Sequence, residues 1–251
     1  ELYFVGPPGQ AKVVRFAASS LPAPLHLASS FMEMPWFTLG EKWQIASGLR
    51  ALAKDRTKTD RSFQDWLDGQ HQSETVQRRF WHLVLVSALS ESLDRISLHH
   101  ARKVFVDGFA AAYGASDVLV PKLPLAELIG GQLTVAVEQL GVEVKIGQTV
   151  RQISTDKNVT TADGQVLAAD HVVAAVPWHS VNDLVPEDVV KKSECLATAP
   201  GSPISGLHLW FDRQITDLPH AVLVGTVAQW VFRQPWDDEQ ASSSFYYQVV
   251  I

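Results

Sequence analysis

Residues 141–178 read GVEVKIGQTVRQISTDKNVTTADGQVLAADHVVAAVPW, and their alternation sets the fold class. Val142, Val144 and Ile146 alternate with Glu143 and Lys145, the period-two pattern of a strand with one buried face. Thr149 to Ser154 reads as a second strand. Asn158–Thr161 and Gln165–Leu167 flank Ala162-Asp163-Gly164, a turn signal because Asp and Gly tolerate positive φ. His171 to Val176 is almost wholly apolar, as expected of a strand covered on both faces, and Pro177 ends it. Upstream, Ala126 to Leu140 is an amphipathic helix closing at Gly141, so the block is the helix-then-strand step of an α/β unit.

Working outward, Leu2–Val5 and Val13–Phe16 flank Gly6-Pro7-Pro8-Gly9 and predict a hairpin with a wide turn. Thr38 is an N-cap with Glu41 completing a capping box. Its helix runs to about Lys54 with Trp43, Ile45, Ala46, Leu49 and Leu52 as apolar residues. Ser62 caps a short helix bearing Phe63, Trp66 and Leu67. Further helices are expected over Glu74–Leu89 and Ser97–Phe109, with Asp117–Leu125 extended. Beyond Pro177, Ile204–Phe211, Ala221–Gly225, Gln229–Phe232 and Phe245–Ile251 read as the strands of an antiparallel sheet. The expected parts are a hairpin followed by helices over residues 1–117, an α/β segment over 118–200 and an antiparallel sheet over 201–251. Both ends fall within strands, so the chain reads as the central piece of a larger protein.

Composition narrows the function. An apolar content of 46% supplies a core, while a net charge of −6 and a pI near 5.8 argue against nucleic acid. The single cysteine, Cys195, excludes a disulfide framework and fits a reducing, cytoplasmic compartment. No apolar run approaches the roughly 20 residues that span a bilayer; the longest is Leu83 to Leu89. His99-His100 point about 100° apart on a helix and lack a partner at i+4, and no Gly-x-Ser-x-Gly elbow occurs.

The stretch containing Val150, Ile153, Asp163, Gly164, Ala169, Asp170, Val172, Val173, Ala175 and Pro177 resembles the interior FAD-binding segment of the amine-oxidase and carotenoid-desaturase flavoproteins. SFQDWL, QSETVQRRFWHLVLVSALSES, SLHHARKVFVDGF, ASDVLVPKLPLAEL, PISGLHLWFDRQI and AQWVF extend the likeness across essentially the whole chain to the squalene-associated FAD-dependent desaturases, the hydroxysqualene dehydroxylases. The resemblance implies an α/β, amine-oxidase-type fold, Rossmann-like on the FAD side, with a helical and antiparallel-sheet substrate domain. It implies FAD as cofactor, with Val150, Ala175 and Pro177 on its adenine side, and a long apolar isoprenoid as substrate. The implied reaction is reductive dehydroxylation of hydroxysqualene to squalene in hopanoid or triterpenoid synthesis. Phytoene-type desaturation and non-catalytic lipid binding are the alternatives.

Such an enzyme would work at the inner face of a membrane, and Leu21–Trp36, with Phe31, Met32, Met34 and Trp36, is the expected docking edge. The G-x-G-x-x-G fingerprint of the phosphate-binding turn is absent from the 251 residues. The chain alone is therefore expected to hold FAD weakly and to be inactive. A hydroxyl leaves poorly as hydroxide, so an acid should protonate it. Asp107 and Asp117, each next to an apolar run, are the candidate catalytic donors; no metal site is expected.

Overall fold

Leu2–Val5 (β1) and Val13–Phe16 (β2) pair antiparallel, Leu2 opposite Phe16, through the wide Gly-Pro-Pro-Gly turn. They open a computed structural model that describes residues 1–57, 61–191, 201–233 and 244–251. The chain divides into two units, Glu1–Leu123 with Ser202–Ile251, and Pro124–Gly201.

In the first unit, hydroxyl caps start the helices. After the short Ala28–Met32 (α1), Leu39–Lys54 (α2) begins at Thr38, whose side chain accepts from the Glu41 amide at 3.2 Å while Glu41 accepts from the Thr38 amide at 2.8 Å. The expected capping box is thus complete, contributing about 1 kcal/mol. Ser62 caps Phe63–Asp68 (α3), Ser73 caps Glu74–Val76 (α4) and Ser97 caps Leu98–Arg102 (α6) in the same way. The helix begun at α4 continues through a π-helical segment, Gln77–His82, into Leu83–Leu89 (α5); α6 likewise continues into a π segment, Lys103–Ala110.

The core of this unit gathers around Trp81, which is fully buried in the first π segment. Phe63, Phe80 and Phe105 lie 5.6, 4.9 and 4.9 Å from its ring, and Trp66 lies 6.3 Å away. Its indole N–H donates to Gln72 Oε1 at 3.1 Å, meeting the requirement that a buried Trp find an acceptor. On α2, Ile45 and Leu52 are fully buried, but Trp43 is 75% exposed and Ala46 is also exposed. The expected apolar stripe was too wide, because the buried face centres on Ile45, Gly48 and Leu52. A Cβ on Gly48 would sit 2.7 Å from Trp81 Cζ2, so glycine lets the two elements touch.

The second unit starts with Leu125–Glu127 (α7), a π segment Leu128–Leu133 and Thr134–Gln139 (α8), and Gly141 follows at φ +82° as the expected helix stop. Val150–Ile153 (β3), Asn158–Thr161 (β4) and Val166–Ala168 (β5) form an antiparallel meander in that order. Gly164 takes φ +85° in the β4–β5 turn. The Thr161 hydroxyl donates to Asp163, and this bond above all holds that carboxyl below its ordinary range.

Two expected strands are corrected. Residues 142–146 and 171–176 form no ladder, and Val142, Ile146 and Val173 are 51, 86 and 89% exposed. Their patterns encode burial, but a strand also needs neighbours for its N–H and C=O groups, and the three-stranded sheet offers them none. Pro177 instead leads into a helix, Trp178–Leu184 (α9), which lies along β3; Glu187–Lys191 (α10) follows.

The remaining strands return to the first unit. Gly206–Phe211 (β6), His220–Leu223 (β7), Trp230–Arg233 (β8) and Phe245–Val250 (β9) join the N-terminal hairpin in one sheet, ordered β2-β1-β7-β8-β9-β6. Four strands were expected here as an antiparallel group; the sheet is mixed, because β1 and β7 run parallel, with Phe4 beside Val222. The face carrying Phe4, Val14, Val222 and Val224 packs into the helical core. His220 is 8% exposed, and burial pushes its ring below the ordinary value of 6.5. Its Nε2 lies 3.1 Å from the Glu1 carbonyl; a carbonyl only accepts, so this nitrogen carries the proton.

Two outcomes are expected. Gly48→Ala overpacks the Trp81 contact, and a cost of about 1–3 kcal/mol outweighs roughly 1 kcal/mol of gained helix propensity; thermal unfolding should show a lower Tm, and a raised one would refute the contact's role. His220 binds its proton less readily folded than unfolded. Its contribution is therefore full above 6.5 and lost as pH falls below that value. His220→Phe should flatten the loss of denaturation free energy between roughly pH 7 and pH 5; an unchanged slope would assign the acid sensitivity elsewhere.

Candidate functional site

The register of the large sheet sets one row of aromatic groups across its open end. Trp210 lies opposite Tyr246, His208 opposite Gln248, Phe232 opposite both Gln248 and His220, and Trp230 opposite Val222 and Val250. Residues directly opposite share a face, and alternate residues along a strand return to it. His208, Trp210, His220, Trp230, Phe232 and Tyr246 therefore stand on the same face as Val222, whose other half is the core. Trp230 and Phe232 stack at 5.4 Å with planes 5° apart, Trp210 and Tyr246 approach to 5.0 Å, and His208 stacks on Tyr246 at 5.9 Å.

Exposure rises along this face. Val222 is 4% exposed, Trp230 and Phe232 are half-buried, and Trp210 is 65% exposed. The open end is thus a wall of π surface, with the hydrogen-bonded His208 Nδ1 and Tyr246 hydroxyl and the Gln248 side chain among the polar groups of the described residues. Such a wall binds flat or elongated apolar ligands by buried area, about 25 cal/mol per Å², and attracts cationic charge over its ring faces.

The residues singled out from sequence fall in separate places. Val150 is half-buried in β3, opposite Thr161 and beside a bulge that takes up Arg151. β3 is an edge of its sheet, so one row of its backbone N–H and C=O groups is left without a strand partner among the described residues. That is what main-chain recognition of a flat heterocycle needs. Ala175 and Pro177 are exposed; the Pro177 carbonyl accepts from the Ser180 amide at 2.8 Å in the first turn of α9, the helix beside β3. The free edge beside Val150 is compatible with main-chain contact to a base, and the glycine-rich phosphate turn is not among the 251 residues.

Asp107 lies on the second π segment and Asp117 beyond it, where its carboxylate meets the Glu1 amino group at 3.4 Å. Both are exposed: adjacency to Val104-Phe105-Val106 did not place Asp107 among hydrocarbon, because neighbouring helical residues face different ways, and Asp117 follows a turn, its amide bonded to the Gly114 carbonyl, outside any helix or strand. Of the expected docking edge, Met34 and Trp36 are core residues at 4%, Phe31 packs against that core, and Met32 is 52% exposed. Cys195 and Trp236 lie outside the described residues. No group of three metal-ligating side chains, and no helix long and apolar enough to cross a membrane, occurs among the described residues.

His208 and Tyr246 escaped the sequence reading. Each strand was legible, and HLW and FYY carry period-two aromatics, but only the pairing register brings the ring nitrogen and the hydroxyl together.

Comparison with known proteins follows the same architecture. Residues 6–247 match the family described as flavin containing amine oxidoreductase. An oxidoreductase from Methanosarcina mazei superposes with a TM-score of 0.69 at 16% identity, over 95% of this chain and 60% of that one. A Pyrococcus furiosus protein gives 0.61 at 11% identity, over 81% and 52%. A putrescine oxidase solved with putrescine bound gives 0.60 at 14% identity, over 100% and 57%. The chain thus spans between about half and three-fifths of the length of these structures. No curated protein matches it. The helical layer, the mixed six-stranded sheet and the β-meander are therefore parts of a flavoenzyme fold, and the chain belongs to the flavin containing amine oxidoreductase family.

Proposed function

We propose that this chain supplies the substrate wall and the adenine-side strand of an FAD-dependent oxidoreductase acting on a long isoprenoid, with reductive dehydroxylation of hydroxysqualene to squalene as the reaction. The observation that carries this reading is the open aromatic wall of Trp210, Tyr246, Trp230 and Phe232, which offers much π surface and few hydrogen bonds. A polyene has little else to be held by. The motif resemblance across the whole chain supports the same substrate class.

When bound, the flavin's chemistry is hydride transfer. Protonation lets the hydroxyl depart as water, breaking the C–O bond and leaving an allylic cation, and one hydride equivalent then forms the new C–H bond. The rings of the wall would align the chain, exclude water and stabilise the cation through their π faces. Asp107, Asp117 and the hydrogen-bonded His208–Tyr246 pair are the candidate donors of the proton that the hydroxyl takes up; of these, the pair alone is set on the aromatic face. On the cofactor side, the backbone of Val150 would bond the adenine at the free edge of β3, with Ala175 and Pro177 nearby in the same unit. Work on so insoluble a substrate fits peripheral membrane contact in the cytoplasm. The exposed residues Leu25, Met32, Leu39 and Trp43 are better placed for it than Met34 or Trp36.

A second reading has its own support. Stacked aromatic faces also hold ammonium groups, so an amine is the alternative substrate, as for the putrescine oxidase of similar fold.

In single-turnover tests with the pre-reduced, flavin-loaded full-length protein, hydroxysqualene should reoxidise the flavin and yield squalene, while putrescine should fail to reduce the oxidised form; the reverse pattern would establish the amine reading. His208→Gln should slow that turnover about 10²- to 10⁴-fold and shift its pH profile, whereas Asp107→Asn and Asp117→Asn should leave both near the parental values. If either Asn variant, folded and flavin-loaded, shows the loss instead, the proton comes from that carboxyl. Val150→Ala should retain flavin and Val150→Pro, which lacks the N–H, should lose it with far-UV dichroism unchanged; flavin retained at stoichiometry by the Pro variant would remove β3 from the cofactor site.

A further inference from the structure

A cavity of about 350 Å³ opens in the first unit between the hairpin turn, the start of the long helix and the turn after β7. Pro7 and Gly225 form one side, and Glu74, Thr75, Arg78 and Arg79 the other. The turns are fixed by close backbone approach. A Cβ on Gly6 would lie 2.1 Å from the Gln10 carbonyl, and Gly225, at φ +72°, sits where a Cβ would be 3.2 Å from Pro7. The cavity therefore has a rigid wall and a charged wall.

Charge on the second wall is not balanced. Arg78 reaches Glu74 only at 3.8 Å, with both side chains three-quarters or more exposed, a pairing worth little in water. Arg79 is half-buried and makes one long bond, Nη1 to the Trp36 carbonyl at 3.4 Å. A guanidinium has five N–H donors, so most of Arg79's donors lack a protein acceptor among the described residues. Both arginines occupy the π segment Gln77–His82, a geometry that recurs at functional positions. The first-turn amides of Glu74 and Thr75 and the Thr75 hydroxyl add donors from the beginning of the 16-residue helix they open.

We propose that this cavity binds a phosphate group. Two guanidinium groups and the first-turn donors of the helix line the same cavity, a set that suits a tetrahedral dianion, which accepts from several directions at once; a carboxylate would occupy one guanidinium. The volume lies at the lower end of ligand pockets, about 300–1,000 Å³, so the phosphate can carry a substituent. That phosphate is either part of a soluble phosphate ester or diphosphate, or the headgroup of a lipid at a membrane surface. Glu74 opposes a dianion and would swing toward solvent on binding, where it is already exposed.

The test uses the flavin-loaded full-length protein titrated with inorganic diphosphate at low salt. Binding should be measurable by calorimetry and weaken as salt is raised. Arg78→Gln, whose side chain is exposed and whose loss leaves the fold intact, and Arg79→Gln should each weaken it about tenfold, with flavin content unchanged. Flotation with phosphatidic acid vesicles, reversed by added diphosphate, assigns the phosphate to a lipid; diphosphate binding without flotation assigns it to a soluble ligand. Absence of diphosphate binding, or parental affinity in Arg78→Gln, overturns the site. So does loss of flavin together with diphosphate binding in Arg79→Gln, because the arginine would then serve the cofactor.

Discussion

The contact of Trp81 with Gly48 is the constraint on which the first unit depends. An indole placed 2.7 Å from a missing Cβ requires that α2 present bare backbone, and the helix carrying Trp81 must then lie close to it. Gln72 turns that approach into a directional one, because its side chain accepts from the indole and also donates to the Gln44 carbonyl of α2. A polar residue that is 8% exposed is thereby satisfied at both ends, as a buried amide must be. Phe63, Trp66, Phe80 and Phe105 fill the remaining sides of the ring, so α3, the two π-containing helices and α2 meet at one side chain. The π segment contributes as well: the wider turn lets adjacent Phe80 and Trp81 both reach the aromatic cluster, with Phe80 stacked on Phe105 at 5.5 Å.

What sequence disclosed were local signals. The capping box at Thr38, the cap at Ser62, the Gly141 stop and the Asp163-Gly164 turn each act within a few residues, and each is present. The mixed α/β class followed from them. What it did not disclose depends on distant partners. Val142–Ile146 and His171–Val176 have the apolar periodicity of strands, yet a ladder requires a neighbouring strand, and the meander ends at β3 and β5. Trp43 and Ala46 follow helical periodicity, but which third of α2 is covered depends on where Trp81 arrives. The parallel pairing of β1 with β7 joins residues more than 200 positions apart, and no hairpin signal can announce it.

The candidate site was legible to the same extent. Val150, on a strand read correctly, lies at a free sheet edge. Asp107 and Asp117 were chosen for apolar neighbours in sequence, and exposure shows the weakness of that criterion: on a helix the adjacent residue points away, and in an extended segment it points to the other side. The His208–Tyr246 pair required the register of β6 against β9, a quantity set by hydrogen-bonded rows and invisible to composition.

One sheet face thus has two surroundings, and they divide along the strand order. At β1, β2 and β7 the face is core, built from Phe4, Val14 and Val222. At β6 and β9 it is open, with Trp210 largely exposed. β8 lies between, and Trp230 both packs against the core and stacks on Phe232 within the wall. Truncating Trp210 removes π surface from an exposed position and leaves the core untouched, whereas truncating Trp230 opens space against Val222 as well. If the wall takes the proposed ligand, changes in preference are cheapest at the β6–β9 edge, and they become coupled to folding free energy on moving inward to β8. The core holds the strands in register, and the register in turn fixes how the exposed rings are spaced.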